Sequence, residues 1–214
     1  MSPSPPGRKP RPPRTEPVGV RIIGGRFRGR KIHYSGDPRT RPMKDRVREA
    51  VFNLLGTAVR GKHAIDLFAG TGALGLEALS RGAAAATFVE QHHPTAKALG
   101  RSAAELGVEA ETEVVVANTF LWFRRQPKLP AAAWLVFCSP PYDFYVARRE
   151  EMLELIGGLL AAAPPESLFV VECDMRFALE QLPEPEVWDV RCYPPAVVAI
   201  YERRKAEGGR GKER

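Results

Sequence analysis

Residues 63–75 read HAIDLFAGTGALG: a short apolar run that closes on an acid, then Gly70, Gly72 and Gly75 in the spacing G-x-G-x-x-G. A strand that ends in a glycine loop and opens a helix is where a parallel α/β sheet binds ligands. The helix N-terminus there offers free main-chain N–H groups beyond the strand's carboxyl end. The glycine spacing is that of a dinucleotide fingerprint, and alone it is a weak signal. Asp66 adds to it, because its carboxylate, four residues ahead of Gly70, can accept from a ligand's amino group or from a water around it.

From His63 onward strand-like and helical runs alternate. A helix over 73–81, AAATFVE, a helix over 94–107, TEVVVAN, a short helix over 119–125, AAWLVFC, a helix over 147–162 and SLFVVEC follow one another. This order predicts a Rossmann-like α/β sheet, mostly parallel and doubly wound. In EVWDVRCYPPAVVAIYERR two strands are separated only by Pro194-Pro195, too little for a helical crossover, so an antiparallel C-terminal strand is expected to close the sheet. The domain is assigned to residues 61–204, followed by a polar, frayed tail over 205–214.

Upstream the composition changes. Residues 1–17 hold seven prolines and four basic residues, with too little apolar surface to offset the entropy of ordering, and are expected to form a disordered basic arm. From Val18, VGVRIIGGRFRGRKIHY combines β-branched residues, a Gly24-Gly25 turn and alternating arginines, which predicts a hairpin with a basic face. PMKDRVREAVFNLLG then places Val47, Ala50, Val51 and Leu54 along one side of a helix and leaves Lys44, Arg46 and Arg48 on the other. Residues 18–60 thus read as a basic extension of the domain.

The net charge is +7, yet residues 1–48 hold 14 Lys and Arg against three acids, a balance of +11, so the rest of the chain is acidic. Such a front suits a polyanion, nucleic acid first, since each neutralised phosphate releases counterions. For residues 1–17 a solvated tail that favours solubility is the plain alternative. Cys138, Cys173 and Cys192 lie far apart in or beside apolar segments and read as reduced core thiols, not metal ligands. No window approaches a membrane-spanning run, and no apolar signal core follows the N-terminal charges. A cytoplasmic protein without metal or membrane is expected.

Two further strand ends face the glycine loop. Glu90 closes the second strand where the acid of a nucleotide-binding fold takes the ribose hydroxyls, a role common to NAD and S-adenosylmethionine. Asn118 closes the third, where its amide could address an adenine edge or simply form a local turn. A hydride-transfer enzyme has no obvious use for the basic front, which disfavours NAD.

The fourth strand ends in Cys138-Ser139-Pro140-Pro141-Tyr142. Two prolines end a ladder in a rigid, exposed turn. Ser139-Pro140-Pro141-Tyr142 resembles the (Asp/Asn/Ser)-Pro-Pro-(Tyr/Phe/Trp) motif of S-adenosylmethionine-dependent methyltransferases that act on exocyclic amines of nucleic-acid bases. Such an amine is a poor nucleophile, so its hydrogens must be held and its lone pair aimed; the Ser139 side chain and the Pro140 carbonyl would accept those hydrogens, with Tyr142 stacked on the base. The target base must be flipped or unpaired. Cys138, in the strand, is disfavoured as a nucleophile.

Together with VRIIGGRFRGRKI, TRPMKDRVREAVFNLL and DLFAGTGALGLEALSRGAAAATFVE, the motif makes the chain similar to the bacterial 16S ribosomal RNA guanine-N2 methyltransferases of the RsmD type. The resemblance implies methyl transfer from S-adenosylmethionine to one guanine of small-subunit ribosomal RNA, on RNA or a 30S particle, by a monomer. It implies that Asp66, Phe68, Gly70, Gly72, Glu90 and Asn118 hold the cofactor. It makes Ser139, Pro140, Pro141 and Tyr142 the amine site, and places Arg26, Arg28, Arg30, Arg41, Arg46 and Arg48 against cofactor or RNA. The family usually has Asp where Ser139 stands and an acid-alanine pair where Asn118-Thr119 stands. Adenine-N6 or cytosine-N4 methylation of DNA or RNA, and a catalytically quiet ribosome-assembly factor, are the alternatives.

Overall fold

The structure is a computed structural model that describes residues 19–34 and 43–203. The arm expected over 1–17, the tail expected over 205–214, and Arg41 lie outside the described residues. Strands β1 (His63–Asp66), β2 (Ala85–Glu90), β3 (Thr112–Val116), β4 (Trp134–Cys138) and β5 (Leu168–Asp174) are parallel, and β6 (Asp189–Tyr193) and β7 (Ala196–Glu202) are antiparallel additions. Their spatial order is β3-β2-β1-β4-β5-β7-β6. The short connection at Pro194-Pro195 makes β6 and β7 antiparallel neighbours, with β7 lying between β5 and β6. The strand order reverses between β1 and β4, so the loops that follow these two strands open a crevice at the switch point. There Asp66 pairs in register with Phe137. The glycine loop and the Ser139–Tyr142 turn are therefore neighbours.

Among the described residues the α-helices are α1 (Asp45–Leu55), α2 (Ala73–Ser80), α3 (His93–Leu106), α4 (Thr119–Arg124), α5 (Phe144–Ala147) and α6 (Arg149–Ala162). Alternate residues of each central strand feed two apolar clusters. Ala64, Leu135 and Phe137 pack with α1, α2 and α3, while Ile65, Val136 and Cys138 pack with α4, α5 and α6. Among the described residues no helix is long and apolar enough to cross a membrane.

Two expectations for the basic front are corrected. The hairpin is an antiparallel loop with one bridge, Arg21 to Lys31, closed around a single 3-10 turn at Gly25–Phe27 rather than two regular strands. Helix α1 buries Val47, Val51, Phe52 and Leu55 and leaves Leu54 45% exposed, so the apolar side is rotated from the expected one. The Phe52 ring, 5.7 Å from that of Phe137, draws the helix onto the sheet. That rotation carries Arg48 inside, where it is fully buried.

Arg48 and Glu77 form the joint between the front and the sheet. Arg48 donates to the carbonyls of Met43 and Arg21 and to Asp45 Oδ1, at 3.2, 2.6 and 2.9 Å, with its Nε 3.9 Å from Glu77 Oε2. Glu77, also fully buried, accepts the main-chain N–H groups of Ile23 and Gly24, each at 2.7 Å, and Arg81 Nε at 2.8 Å. Ser80 accepts the Phe27 N–H and donates to the Gly24 carbonyl. Gly25 is required there, since a Cβ would fall 2.0 Å from the Ser80 carbonyl oxygen.

Candidate cofactor and amine site

Asp66 ends β1 almost fully buried. Its Oδ2 accepts the Gly75 N–H at 3.2 Å, while Oδ1 is buried and has no hydrogen-bond partner among the described residues. Burial pushes its carboxyl up to about 7; the Gly75 N–H opposes the shift and the charge of Glu90 adds to it. A buried carboxylate oxygen left unsatisfied is costly unless a ligand or water meets it. Gly70 and Gly72 hold φ of +53° and +77°, and a Cβ at Gly72 would lie 2.7 Å from Leu99 Cδ1. Gly75 answers a different need, because a Cβ there would lie 2.3 Å from Phe88 Cε1 on β2. The third glycine lets α2 lie close on the sheet.

Glu90 is half-buried at the end of β2 and holds the loop. Its Oε2 accepts the Gly70 N–H at 2.8 Å and its Oε1 the His92 N–H at 2.7 Å. Each oxygen keeps a lone pair for a ribose hydroxyl. For Asn118 the local-turn reading is the one seen: Oδ1 caps α4 by accepting from Phe120 and Leu121, and Nδ2 reaches Gln91 Oε1 at 3.3 Å. Thr119, the other departure from the family pattern, donates to the Leu67 carbonyl at 2.5 Å. Phe68 stands edge-on to Phe120 and Phe144, with ring centroids 5.9 and 6.0 Å away. Arg148 covers this trio, 4.0 Å above Phe120 and held by Glu151. That cluster is not legible in the sequence, because its members come from three separate loops and helices.

Ser139 and Tyr142 meet at one carboxylate. Ser139 Oγ donates to Glu172 Oε2, and Tyr142 Oη donates to Glu172 Oε1 at 2.8 Å. Burial first, and then the Glu172 charge, push the Tyr142 hydroxyl above its usual range, so it stays a donor. Pro141 and Tyr142 carbonyls accept from Phe144 and Tyr145, which starts α5. Among the described residues no main-chain N–H reaches the Pro140 carbonyl. That carbonyl belongs to a buried residue beside the half-buried Ser139. Cys138 is buried and its thiol is pushed up to about 12 by burial, so it does not supply a thiolate. Glu172 was not singled out in the sequence, although an acid inside FVVECD carries the same signature as Asp66 inside AIDLF.

The basic residues separate into two groups. Arg26, Arg28, Arg30 and Arg46 are exposed. Arg48 is not, and the expectation that it faces RNA is replaced by its role in the joint with Glu77. The hairpin tip binds Ser80, the last residue of α2, and Arg30 reaches the Glu105 carbonyl near the end of α3. That end of α2 is about 12 Å from the glycine loop at a rise of about 1.5 Å per residue. The hairpin arginines therefore sit away from the glycine loop. Arg26, Arg60 and Arg81 instead line a concavity of about 430 Å³ beside Ser80 and Gly82.

The chain matches the family model described as "Conserved hypothetical protein 95" over residues 20–202. Ribosomal RNA small subunit methyltransferase D of Escherichia coli K12 is 39% identical to it over 166 residues, 77% of this chain and 79% of that protein. The Haemophilus influenzae protein of the same name is 35% identical over 169 residues, 79% and 84% of the two chains. A solved structure of Escherichia coli yhhF, described as a candidate methyltransferase, aligns with a TM-score of 0.72 at 32% identity, over 87% of this chain and 98% of its own.

Proposed function

The chain belongs to the conserved hypothetical protein 95 family, the RsmD-type methyltransferases, and on that premise we propose that it methylates the exocyclic N2 amine of a guanine in small-subunit ribosomal RNA. At the coarser level it is an S-adenosylmethionine-dependent ribosomal RNA methyltransferase with a class I fold. One observation supports an amine as the target, and the choice of guanine rests on the family resemblance. The acceptors suited to an amine, Ser139 Oγ and the Pro140 carbonyl, follow the strand paired with the one that carries Asp66 and the glycine loop.

The residues present fit the cofactor: the unpartnered Asp66 Oδ1, the left-handed Gly72 with no room for a Cβ, and the half-buried Glu90 surround one loop. S-adenosylmethionine, when bound, supplies a methyl group on a positively charged sulfur. Asp66 would receive its donor groups and Glu90 its ribose. Ser139 and Pro140 would take the two amine hydrogens and turn the nitrogen lone pair toward the methyl, with the Tyr142 ring against the base. Orientation does most of this work, so no strong base is needed to begin.

The test is transfer of labelled methyl to small ribosomal subunits from a strain lacking the activity, with naked RNA and DNA alongside and nucleosides identified after digestion. Label in N2-methylguanosine is expected. Label in an adenine or cytosine product would redirect the substrate, and cofactor binding without any transfer would make a ribosome-assembly factor the better reading.

Two further outcomes are expected. Replacing Arg26, Arg28 and Arg30 by Ala should weaken RNA binding and reduce the slope of log K against log salt by about 0.7 to 0.9 for each phosphate no longer neutralised. An unchanged slope would remove the hairpin from the RNA interface. A ligand that donates to ionised Asp66 binds the ionised form better. Affinity for S-adenosylhomocysteine should therefore fall as pH drops through about 7, approaching tenfold per pH unit below it. Asp66→Asn should flatten that dependence in a calorimetric titration.

A further inference from the structure

Glu172 stands on β5 one residue beyond Val171, the register partner of Cys138, and so lies beside the start of the Ser139–Tyr142 turn. It is 6% exposed. Among the described residues no lysine, arginine or histidine pairs with it, and the nearby Arg176 is committed to Asp143 and Asp174, at 2.8 Å each. A carboxylate this far out of water without a cation is costly unless hydrogen-bond donors meet it. Its side-chain partners are two hydroxyl hydrogens, both from the turn that carries the amine site.

A serine hydroxyl can either donate or accept. With its hydrogen on Glu172, Ser139 presents only lone pairs to the pocket. It becomes an acceptor for the amine, with a negative charge directly behind it. The bond from Tyr142 to the same carboxylate anchors the phenol oxygen, and with it the position of the ring that would stack on the base.

We propose that Glu172 is the positioning residue of the amine site: it locks Ser139 as an acceptor, supplies the negative charge that serine lacks, and receives the amine's proton through Ser139. The proposal rests on the amine-methylation reading above. As the amine lone pair forms the new N–CH₃ bond, the sulfur–methyl bond breaks and its electron pair stays on sulfur. The nitrogen is left positive. Its proton passes to Ser139 Oγ while the serine proton moves to Glu172 Oε2, leaving a neutral methylamine and a neutral carboxyl that later releases its proton to water.

The experiment compares wild type, Glu172→Gln, and Glu172→Gln combined with Ser139→Asp, which returns one carboxylate to the pocket. In single-turnover transfer to small subunits, Glu172→Gln should lose about 10²-fold in rate, the scale of a positioned proton acceptor. Its affinity for S-adenosylhomocysteine should not change, and adding Ser139→Asp should recover at least about tenfold of the rate. In protein carrying ¹³C-labelled tyrosine, the Tyr142 ring signal should shift in Glu172→Gln without any substrate present.

A wild-type rate with an unmoved Tyr142 signal overturns the proposal. So does a loss that Ser139→Asp leaves unrecovered, which would mean that Glu172 only supports the fold. Should Glu172→Gln not fold, Glu172→Asp keeps the charge but withdraws it from Ser139, and a wild-type rate in that variant overturns the proposal equally. Wild type that transfers to no base would sink the amine-methylation reading instead. The Tyr142 signal then decides the locking of the turn by itself, with a shift supporting it and no shift overturning it.

Discussion

Replacing Ser139 and Tyr142 together by alanine is expected to lower methyl transfer by about 10³-fold or more, the range for losing both a preorganised acceptor and substrate orientation. Affinity for S-adenosylhomocysteine should stay within a factor of about two, because the groups suited to hold it sit on other strands and share no partner with the altered pair. Asp66 and Glu90 bond to Gly75, Gly70 and His92, and among the described residues neither hydrogen-bonds to the turn. The double variant also takes both hydroxyl donors from the buried Glu172, so its melting temperature should fall. Transfer is therefore to be measured well below that temperature. A rate equal to wild type would remove the turn from the amine site, whatever its resemblance to the methyltransferase motif.

The parts of the fold that depend on local pattern are legible in the sequence. The strand and helix order from His63, the glycine loop and the short link at Pro194-Pro195 each act within a dozen residues, and the sheet has the expected form. What escapes is set by partners far along the chain. Arg48 looks like a surface charge because helical periodicity sorts residues by polarity, whereas Glu77, 29 positions later, lets it be buried. Leu54 and Phe52 are both apolar, and distant partners such as Phe137 on β4 decide which one faces in. Asn118 fills its local role because α4 begins at the next residue and needs a cap. Glu172 was hidden for the same reason as Arg48: its donors, Ser139 and Tyr142, stand 33 and 30 positions away.

The joint between the basic front and the sheet should give the largest change in stability. Arg48→Met is expected to destabilise the protein by about 2 to 5 kcal/mol, at about 1 to 3 kcal/mol for each buried acceptor left without its donor. Two main-chain carbonyls, those of Met43 and Arg21, lose their guanidinium donor, and Glu77 keeps Arg81 as its side-chain partner. Lysine should not rescue the site, because a single ammonium cannot reach these carbonyls and Asp45 in the fork that Arg48 uses. Urea unfolding gives the energy. Hydrogen exchange at Ile23 and Gly24, whose N–H groups rest on Glu77, shows whether the hairpin loosens first. If stability changes by less than about 1 kcal/mol, the scale of an exposed ion pair, the joint does not hold the front in place. If exchange at these two amides accelerates while the sheet stays protected, RNA affinity should fall with it although Arg48 touches no solvent. The positions of Arg26, Arg28 and Arg30 would then depend on a buried residue that polarity alone would place outside.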